Sequence, residues 1–228
     1  MTDAPHAPAA AAVPAPGPLP APARPEALGF DPDRLAEAVA FAEAHETAMS
    51  RDVAAALEDG LFGEPWPIRE VIGPVKPRGG PAGVILRAGR VAARWGDTRR
   101  VDMTFSATKS YLALCAAVAL DDGIIPDLDA PVREIVDDGG FEGPHNGAIT
   151  WAQLLQLTSE WEGELWGKPD WVDHGRDLSA PAGAPSRKGI KRALHRPGTF
   201  WEYNDVRVNR LALALLRVFR RPLPEVLR

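Results

Sequence analysis

The sequence predicts an α/β plus all-α fold, in which an antiparallel sheet is flanked by helices and joined to a helical domain. Two β-rich runs near residues 83–95 flank a two-residue turn, which is the pattern of a hairpin. Apolar residues at helical spacing dominate the later part of the chain, most clearly over 106–121 and 205–219. With 228 residues, 45% of them hydrophobic, the chain can bury the core of one large or two small domains.

The segments before the hairpin divide into a tail and a first helix. Residues 1–28 are rich in alanine and proline, so we expect a disordered, extended tail and exclude it from the fold. A helix is predicted over 32–46, because Asp31 can cap it and Pro32 can occupy its first position. The folded domain is then expected to cover 29–228.

This domain is predicted to have an α/β part at 29–105, which contains the hairpin, and a mainly helical part at 106–228. A hairpin alone is marginal in water, so it should join a larger sheet, yet no later segment has a convincing strand pattern. Besides the two long helices, another is predicted over 150–157 after a Thr150 cap. Residues 159–198 form a long loop with three tryptophans, which we expect to carry or cover a site.

Composition argues against several classes of function. The formal net charge of −5 disfavours a nucleic-acid partner or an acidic membrane surface. No apolar run is long enough to span a membrane, and the N-terminus has no positive charge ahead of its short apolar stretch, which predicts a cytoplasmic protein. The single cysteine, Cys115, lies in an apolar helical pattern and is predicted to be a buried, inert thiol. The histidines lack metal-ligand spacing and no Gly-x-Ser-x-Gly elbow occurs, so neither a zinc site nor an α/β-hydrolase triad is expected.

A Ser-x-x-Lys motif opens the helix predicted over 106–121. On a helix, this spacing places the Ser106 hydroxyl and the Lys109 amine on one face, one turn apart. A serine hydroxyl is weakly nucleophilic and needs a base within reach, and a lysine can serve if its amine is neutral part of the time. Burial and the positive end of the helix dipole both lower a lysine pKa. The alternative is a helix-capping Ser106 beside a solvent-directed Lys109.

A second motif, Pro197-Gly198 followed by Tyr203, forms a predicted turn just before the last long helix. The order of the Phe-Ser-x-x-Lys-Ser motif, the segment 149–159 and this Pro-Gly-x-x-x-x-Tyr turn resembles the β-lactamase-related serine hydrolases. That superfamily includes class C β-lactamases, D-alanyl-D-alanine peptidases, related esterases and the 6-aminohexanoate-dimer hydrolases. The resemblance covers roughly residues 30–228 and implies a β-lactamase/DD-peptidase-like fold.

The resemblance also implies a role for each motif residue. Ser106 would be the acylated nucleophile, Lys109 its general base, and Tyr203 the phenol that passes a proton to or from the leaving group. A lysine and a phenol side by side can share one proton across acylation and deacylation. The implied substrate is a small-molecule amide or ester, with no metal and no organic cofactor. Taken alone, Tyr203 could instead be a buried tyrosine with a hydrogen-bonded hydroxyl, and the oligomeric state stays open.

Three further residues are candidates for contact with substrate, namely Asp205, Trp161 and Trp166. The tryptophans lie on the long loop and could line a cleft, but tryptophans on such a loop pack it down about as often. Class C β-lactamases have a Tyr-x-Asn motif, and this chain has Asp205 where that asparagine stands. An ionised Asp205 near Lys109 would raise the pKa of that lysine and weaken it as a base, which favours a small linear amide or ester over a β-lactam.

In the family, the third motif, a Lys-Thr-Gly or His/Trp-x-Gly strand, follows the tyrosine motif, and here it would be expected well beyond residue 228. The resemblance therefore implies an incomplete domain whose C-terminal strands are missing, which would also leave the hairpin without partners. That strand supplies one of two backbone donors to the oxyanion, and loss of one such donor typically costs about 10²- to 10³-fold in rate. Two hypotheses follow: a serine hydrolase, or a truncated or non-catalytic member that acts as a binding module or is an inactive fragment.

Overall fold

The hairpin and the first helix belong to one unit of the chain, and the two motif segments belong to another. The computed structural model describes residues 19–63, 69–179 and 187–227. Within these ranges, the first unit contains the residues up to Ala56 together with Gly73–Met103. The second unit contains Leu57–Ile72 and the residues from Thr104 onward, so Leu57–Ile72 belongs with the mainly helical part.

Helices outnumber strands in the described ranges. The helices are α1 Pro32–Ala44, α2 Val53–Glu58, α3 Thr108–Asp121, α4 Gly143–Asn146, α5 Trp151–Leu155, α6 Asp205–Phe219 and α7 Leu223–Val226. The strands are β1 Gly83–Arg87, β2 Arg90–Trp95, β3 Glu164–Leu165 and β4 Lys168–Pro169. Short 3-10 helices lie at Pro25–Leu28, Phe105–Ala107, Val132–Glu134 and Asp170–Asp173. None of the helices in the described part of the chain combines the length and the apolarity that crossing a membrane requires.

The start of α1 confirms the capping prediction. The Asp31 carboxylate accepts hydrogen bonds from the amides of Asp33 at 2.9 Å and Arg34 at 3.1 Å. These two amides belong to the first turn, where no intrahelical partner is available. Pro32 occupies the first helical position, and the helix ends at Ala44, two residues before the predicted end.

The tail predicted over residues 1–28 extends too far. Pro25–Leu28 form a 3-10 turn whose last residue is buried, with 8% of its surface exposed. This leucine packs against Leu35 of α1 and Ala92 of β2. The Ala23 amide also donates a hydrogen bond of 2.8 Å to the Val91 carbonyl of β2, so the residues just before the first helix pack on the hairpin. Residues 1–18 of the predicted tail lie outside the described residues.

The predicted hairpin is confirmed. Strands β1 and β2 pair antiparallel, and the turn residues Ala88 and Gly89 have φ angles of 48° and 74°. Two-residue hairpin turns favour this left-handed backbone because it matches the twist of the flanking strands. A Cβ at Gly83 would lie 2.2 Å from the Trp95 ring, so glycine lets the ring lie against the strand. Within the described residues this sheet has two strands.

The core of the second unit lies between α3 and α6. Helix α3 buries Leu112, Cys115, Ala116 and Ala119, and small side chains at three of these positions allow close approach. Cys115 is 1% exposed, which confirms that this cysteine is buried, and burial raises the pKa of its thiol. The apolar face of α6 packs on this core through Val206, Val208, Leu211, Ala214 and Leu215.

Helix α5 begins at the predicted cap. The Gln153 amide donates to Thr150 Oγ1 at 3.3 Å, and the Thr150 amide donates to Gln153 Oε1 at 3.1 Å. These reciprocal bonds form a capping box, which satisfies two amides that the helix itself leaves unpaired. The helix ends at Leu155, earlier than the predicted 157.

The segment predicted as a loop over residues 159–198 contains regular structure. The strands β3 and β4 form a small antiparallel sheet, and the 3-10 helix Asp170–Asp173 follows it. Each strand has two residues, too few for an alternating pattern to be visible in the sequence. Residues 180–186 lie outside the described part of the chain.

A buried asparagine places the start of α6. Asn204 is 0% exposed, and its side-chain oxygen accepts a hydrogen bond of 3.1 Å from the Arg207 amide, so it caps the helix. Its side-chain amide donates at 2.8 Å to the carbonyl of Asp170 in the 3-10 helix. Asn204 therefore anchors the start of α6 to the segment before it. Tyr203 and Asp205 stand on either side of this anchor.

Candidate active site

Ser106 and Lys109 lie where the chain passes from a 3-10 turn into α3. The turn spans Phe105–Ala107, and the α-helix begins at Thr108. Lys109 Nζ donates a hydrogen bond of 3.2 Å to Ser106 Oγ, so the hydroxyl and the amine share one face, as the motif predicts. The Ser106 side chain does not cap α3, because Ala107 occupies the cap position. The geometry therefore argues against the capping alternative for Ser106, and the roles of nucleophile and base stay predictions.

The residue just before Ser106 has an unusual backbone. Phe105 has a φ of 45°, in the left-handed region that side chains other than glycine adopt at a cost of about 1–2 kcal/mol. Its ring packs edge-on against Phe62, with 5.8 Å between the ring centroids. This contact helps to hold the strained turn that presents Ser106. Neither the strain nor the ring contact is visible in the sequence pattern.

Tyr203 reaches the same serine from the start of α6. Its hydroxyl donates a hydrogen bond of 2.7 Å to Ser106 Oγ. The serine oxygen thus accepts hydrogen bonds from both Lys109 and Tyr203. The structure brings together the three residues that the sequence analysis selects for catalysis.

Asp205 lies beside Lys109. Its Oδ1 is 2.6 Å from Lys109 Nζ, and the two side chains form an ion pair. Burial lowers the pKa of Lys109, but Asp205 and Tyr203 together raise it above the ordinary value of a lysine. The ion pair with Asp205 therefore favours the ammonium form of Lys109.

Arg176 joins the site from the segment between β4 and α6. Its Nη1 donates a hydrogen bond of 2.7 Å to Asp205 Oδ2, so the carboxylate bridges two cations. Burial raises the pKa of Asp205, but the hydrogen bonds from Lys109 and Arg176 more than offset this effect, and the net pKa lies below the ordinary range. Both cations also face the aromatic ring of Tyr203, with Lys109 Nζ at 4.5 Å and the Arg176 guanidinium at 4.7 Å from its centroid.

The sequence analysis does not select Arg176. It lies 29 positions before Asp205, inside a segment predicted as loop, and it belongs to no motif. Its contact with Asp205 forms because the 3-10 helix Asp170–Asp173 packs on α6. The one hint in the sequence is Asp205 itself. A carboxylate at the asparagine position of the Tyr-x-Asn motif could have suggested that a compensating cation lies nearby.

A buried carboxylate supports Arg176 from the other side. Asp173 Oδ1 lies 3.6 Å from Arg176 Nη1 and 3.0 Å from Lys188 Nζ, and the Asp173 and Lys188 side chains are 2% and 3% exposed. Asp173 Oδ2 accepts a hydrogen bond of 2.7 Å from the Asp205 amide. Burial raises the pKa of Asp173, although Lys188 opposes this shift. Charges of alternating sign therefore extend from Lys109 into the interior.

A second set of buried charges, here called the buried ion cluster, holds the segment that leads to Tyr203. Glu160 is 0% exposed and accepts two hydrogen bonds of 2.7 Å from Arg192, one of 2.6 Å from Arg207 and one of 2.8 Å from the His195 amide. Burial raises the pKa of Glu160, but these bonds and the charge of Arg207 lower it to about 2. The cluster consists of Glu160, Asp170, His174, Arg192, Glu202 and Arg207.

The two candidate tryptophans have different environments. Trp161 is 3% exposed, belongs to the core, and donates a hydrogen bond of 2.6 Å from Nε1 to the Gly140 carbonyl. The structure therefore favours packing over substrate contact for Trp161, because its ring has little surface to offer. Trp166 lies in the turn between β3 and β4 and is 59% exposed. Its contact with substrate stays a prediction.

Metal ligands are not clustered in residues 19–63, 69–179 and 187–227, where no group of three or more His, Cys, Asp or Glu side chains could hold a metal ion.

Comparison with known families gives a match to the family model described as Beta-lactamase over residues 78–228, about two thirds of the chain. The matched range contains Ser106, Lys109 and Tyr203. No curated protein and no solved structure matches the chain.

Proposed function

Since the chain belongs to the β-lactamase family, we propose that it is a serine hydrolase that cleaves a small amide or ester through an acyl-enzyme on Ser106. One observation carries the proposal. Ser106 Oγ lies within hydrogen-bond distance of both Lys109 Nζ, at 3.2 Å, and the Tyr203 hydroxyl, at 2.7 Å. A nucleophile with two proton-carrying groups in reach has what acyl transfer requires.

In the proposed reaction, Ser106 Oγ attacks the substrate carbonyl carbon and its proton passes to the Lys109–Tyr203 pair. The tetrahedral intermediate collapses as Tyr203 hands a proton to the departing amine or alcohol, which leaves an ester on Ser106. Water then attacks this ester, gives its proton to the same pair, and the carboxylic acid departs as Ser106 regains its hydrogen. Each proton that leaves a nucleophile returns to a leaving group, so the pair is restored after each turnover.

The charge of Lys109 sets when this reaction can start. Asp205 and Tyr203 raise the pKa of Lys109. While Lys109 and Tyr203 are both protonated, neither of them can accept the serine proton. Lys109 acts as the general base after the Lys109–Tyr203 pair has lost one proton, and the two groups then share the one that remains. The rate should therefore rise with pH over the range in which the pair loses this proton.

For the substrate, we propose a small linear amide or ester rather than a β-lactam. Asp205 stands where class C β-lactamases have asparagine, and it adds a negative charge next to the proposed base. The Asp205 side chain is 41% exposed and the Trp166 residue 59%, so both can contact a bound molecule. The proposed reaction uses no metal and no organic cofactor.

A second candidate function is that of a non-catalytic family member that binds a ligand. One observation favours it: the ion pair of 2.6 Å between Lys109 and Asp205 stabilises the ammonium, which cannot accept the serine proton. In such a protein Ser106 would be a binding hydroxyl. Reactivity of Ser106 toward an electrophile separates the two candidates, since a binding module does not require it.

The deciding experiment is covalent labelling of the chain with a fluorophosphonate probe, followed by mass spectrometry of its peptides. The proposal expects one phosphonylated residue, Ser106, and hydrolysis of a nitrophenyl ester that stops when the label is bound. Ser106→Ala should abolish both signals. Ser110→Ala, which removes an exposed hydroxyl on the same helix, should preserve them. A folded protein that takes no label at Ser106 across neutral and alkaline pH would refute the serine hydrolase.

A further inference from the structure

We infer that Arg176 is a positioning residue that neutralises Asp205 from the side opposite Lys109 and thereby sets the pH range in which Ser106 can be activated. The inference rests on the proposed function, because Lys109 matters to the rate only in a Ser106 hydrolase. Arg176 itself touches neither Ser106 nor Lys109 in the contacts that define the site. It acts through the carboxylate and the phenol ring that it touches.

The Asp205 carboxylate is shared between two cations. Its Oδ1 accepts a hydrogen bond of 2.6 Å from Lys109 Nζ, and its Oδ2 accepts one of 2.7 Å from Arg176 Nη1. With one cation on each oxygen, Lys109 experiences less than the full negative charge of the carboxylate. Without Arg176, the only cation paired with Asp205 in these contacts would be Lys109, whose ammonium form would be held more tightly.

Arg176 is held in place by its neighbours. Its side chain is 16% exposed and contacts the Asp173 carboxylate at 3.6 Å on one side and the Tyr203 ring at 4.7 Å from its guanidinium. Asp173 in turn pairs with Lys188 at 3.0 Å and accepts the Asp205 amide at 2.7 Å. The guanidinium is planar, so it can lie against the ring and still direct an N–H at Oδ2. Arg176 thus fixes both the charge and the rotamer of Asp205.

The pH response depends on every charged or titratable group that faces this bridge. From α3 and the turn before it these are Lys109 and the Ser106 hydroxyl, and from the start of α6 they are Tyr203 and Asp205. From the segment between β4 and α6 they are Asp173, Arg176 and Lys188. Of these groups, Arg176 is the one that keeps its charge at every accessible pH and can be removed without removing a proposed catalytic group.

The test compares the pH dependence of kcat/KM for nitrophenyl ester hydrolysis in the wild type, Arg176→Gln and Arg176→Lys. Loss of the cation in R176Q should move the acid limb of the profile to higher pH by about one unit, which is about a tenfold loss of rate on that limb. R176K retains the charge and should return the limb close to its wild-type position. Arg196→Gln, an exposed arginine of the same unit, is the matched control and should leave the profile unchanged.

A second pair of variants tests whether Arg176 acts through Asp205. In an Asp205→Asn background no carboxylate remains to be neutralised, so D205N and D205N/R176Q should have the same acid limb. If R176Q alone fails to fold, R176K and the double variant, which has no unpaired carboxylate at position 205, keep the inference open to refutation. A shift between D205N and D205N/R176Q as large as about one unit would overturn the inference.

A readout without turnover keeps this inference separate from the proposed function. Titration of the Lys109 ammonium by NMR, in protein labelled at the lysine side chains, should give a higher pKa in R176Q than in wild type. If Ser106 takes no label and no ester is cleaved, but this shift occurs, the hydrolase proposal fails and the electrostatic role of Arg176 stands. If esters are cleaved and neither the titration nor the acid limb moves in folded R176Q, the role of Arg176 fails and the hydrolase stands.

Discussion

The Tyr203 hydroxyl donates a hydrogen bond of 2.7 Å to Ser106 Oγ, although the two residues are 97 positions apart in the sequence. Both residues lie at the start of a helix. Ser106 stands at the entrance to α3, and Tyr203 precedes Asn204, the buried cap of α6. Because the two helices pack on each other in the core, their N-terminal ends bring hydroxyl and phenol together.

Tyr203→Phe should reduce ester hydrolysis by about 10²- to 10⁴-fold, the usual contribution of a positioned proton donor or acceptor. The phenylalanine ring still offers its face to Lys109 and Arg176, so the fold should persist and Ser106 should still take label slowly. Stopped-flow measurement of the acylation burst gives the rate. Tyr111→Phe is the matched control, because Tyr111 is the only other tyrosine and its residue is 49% exposed. Equal rates in Y203F and Y111F would remove Tyr203 from the mechanism.

Asp205→Asn should move the acid limb of the kcat/KM profile to lower pH by about 1–3 units. Asp205 raises the pKa of Lys109 and burial, the largest single effect, lowers it, so removal of the carboxylate leaves burial opposed by Tyr203 alone. The amine then becomes neutral at a lower pH and accepts the serine proton there. A pH series of nitrophenyl ester hydrolysis measures the limb.

The control for this variant is Asp129→Asn, which makes the same chemical change at an exposed residue of the second unit. Its profile should coincide with that of the wild type. A D205N profile whose acid limb stays in place, or moves to higher pH, would contradict the assignment of Lys109 as the proposed base.

Glu160→Gln should lower the free energy of unfolding by about 3–5 kcal/mol, the usual effect of removing one partner from a buried ion pair. The substitution removes the 2.6 Å carboxylate contact of Arg207, whose side chain is 1% exposed, and leaves it the longer contacts to Glu202 at 3.3 Å and Asp170 at 3.4 Å. Urea unfolding at neutral pH measures the loss. Glu162→Gln, at an exposed neighbouring residue, should stay within about 0.5 kcal/mol of the wild type.

The same carboxylate predicts the acid stability of the fold. Glu160 has a pKa of about 2 in the folded chain against an ordinary value of 4.5, so its unfolded form binds a proton first as the pH falls. Its contribution to stability is complete above pH 4.5 and is lost between that pH and about 2. Thermal unfolding across this window should show a shallower pH dependence in E160Q than in the wild type. Parallel curves would show that Glu160 is not the group that titrates.

Thr150→Ala should cost about 1 kcal/mol of unfolding free energy, because it leaves the Gln153 amide without its acceptor at the start of α5. Thr150→Ser retains the hydroxyl and should recover most of the loss. Urea unfolding of the three proteins gives both values. A loss in T150S as large as that in T150A would mean that the threonine methyl group, and not the capping bond, stabilises this helix.

Local rules were sufficient for several elements. The hairpin of β1 and β2, the Asp31 and Thr150 caps and the span of α6 follow from residues that interact within one or two turns of the chain. Such contacts depend on turn chemistry, capping and apolar period, which the sequence displays directly. Strands β3 and β4 were not predicted, because two residues are too few to show the alternation of apolar and polar side chains that marks a strand.

The sequence by itself determined the family motifs, and with them the choice of Ser106, Lys109 and Tyr203. The tertiary structure decided the electrostatics of the site. Asp205 contacts Lys109 because α3 packs on α6, and Arg176 contacts Asp205 because the 3-10 helix Asp170–Asp173 packs on α6. Burial likewise decided the position of Trp161. The sequence left a cleft and loop packing equally open for this residue, and the structure places it in the core. Charge interactions and burial depend on distances between segments far apart in the chain, and those distances exist only after folding.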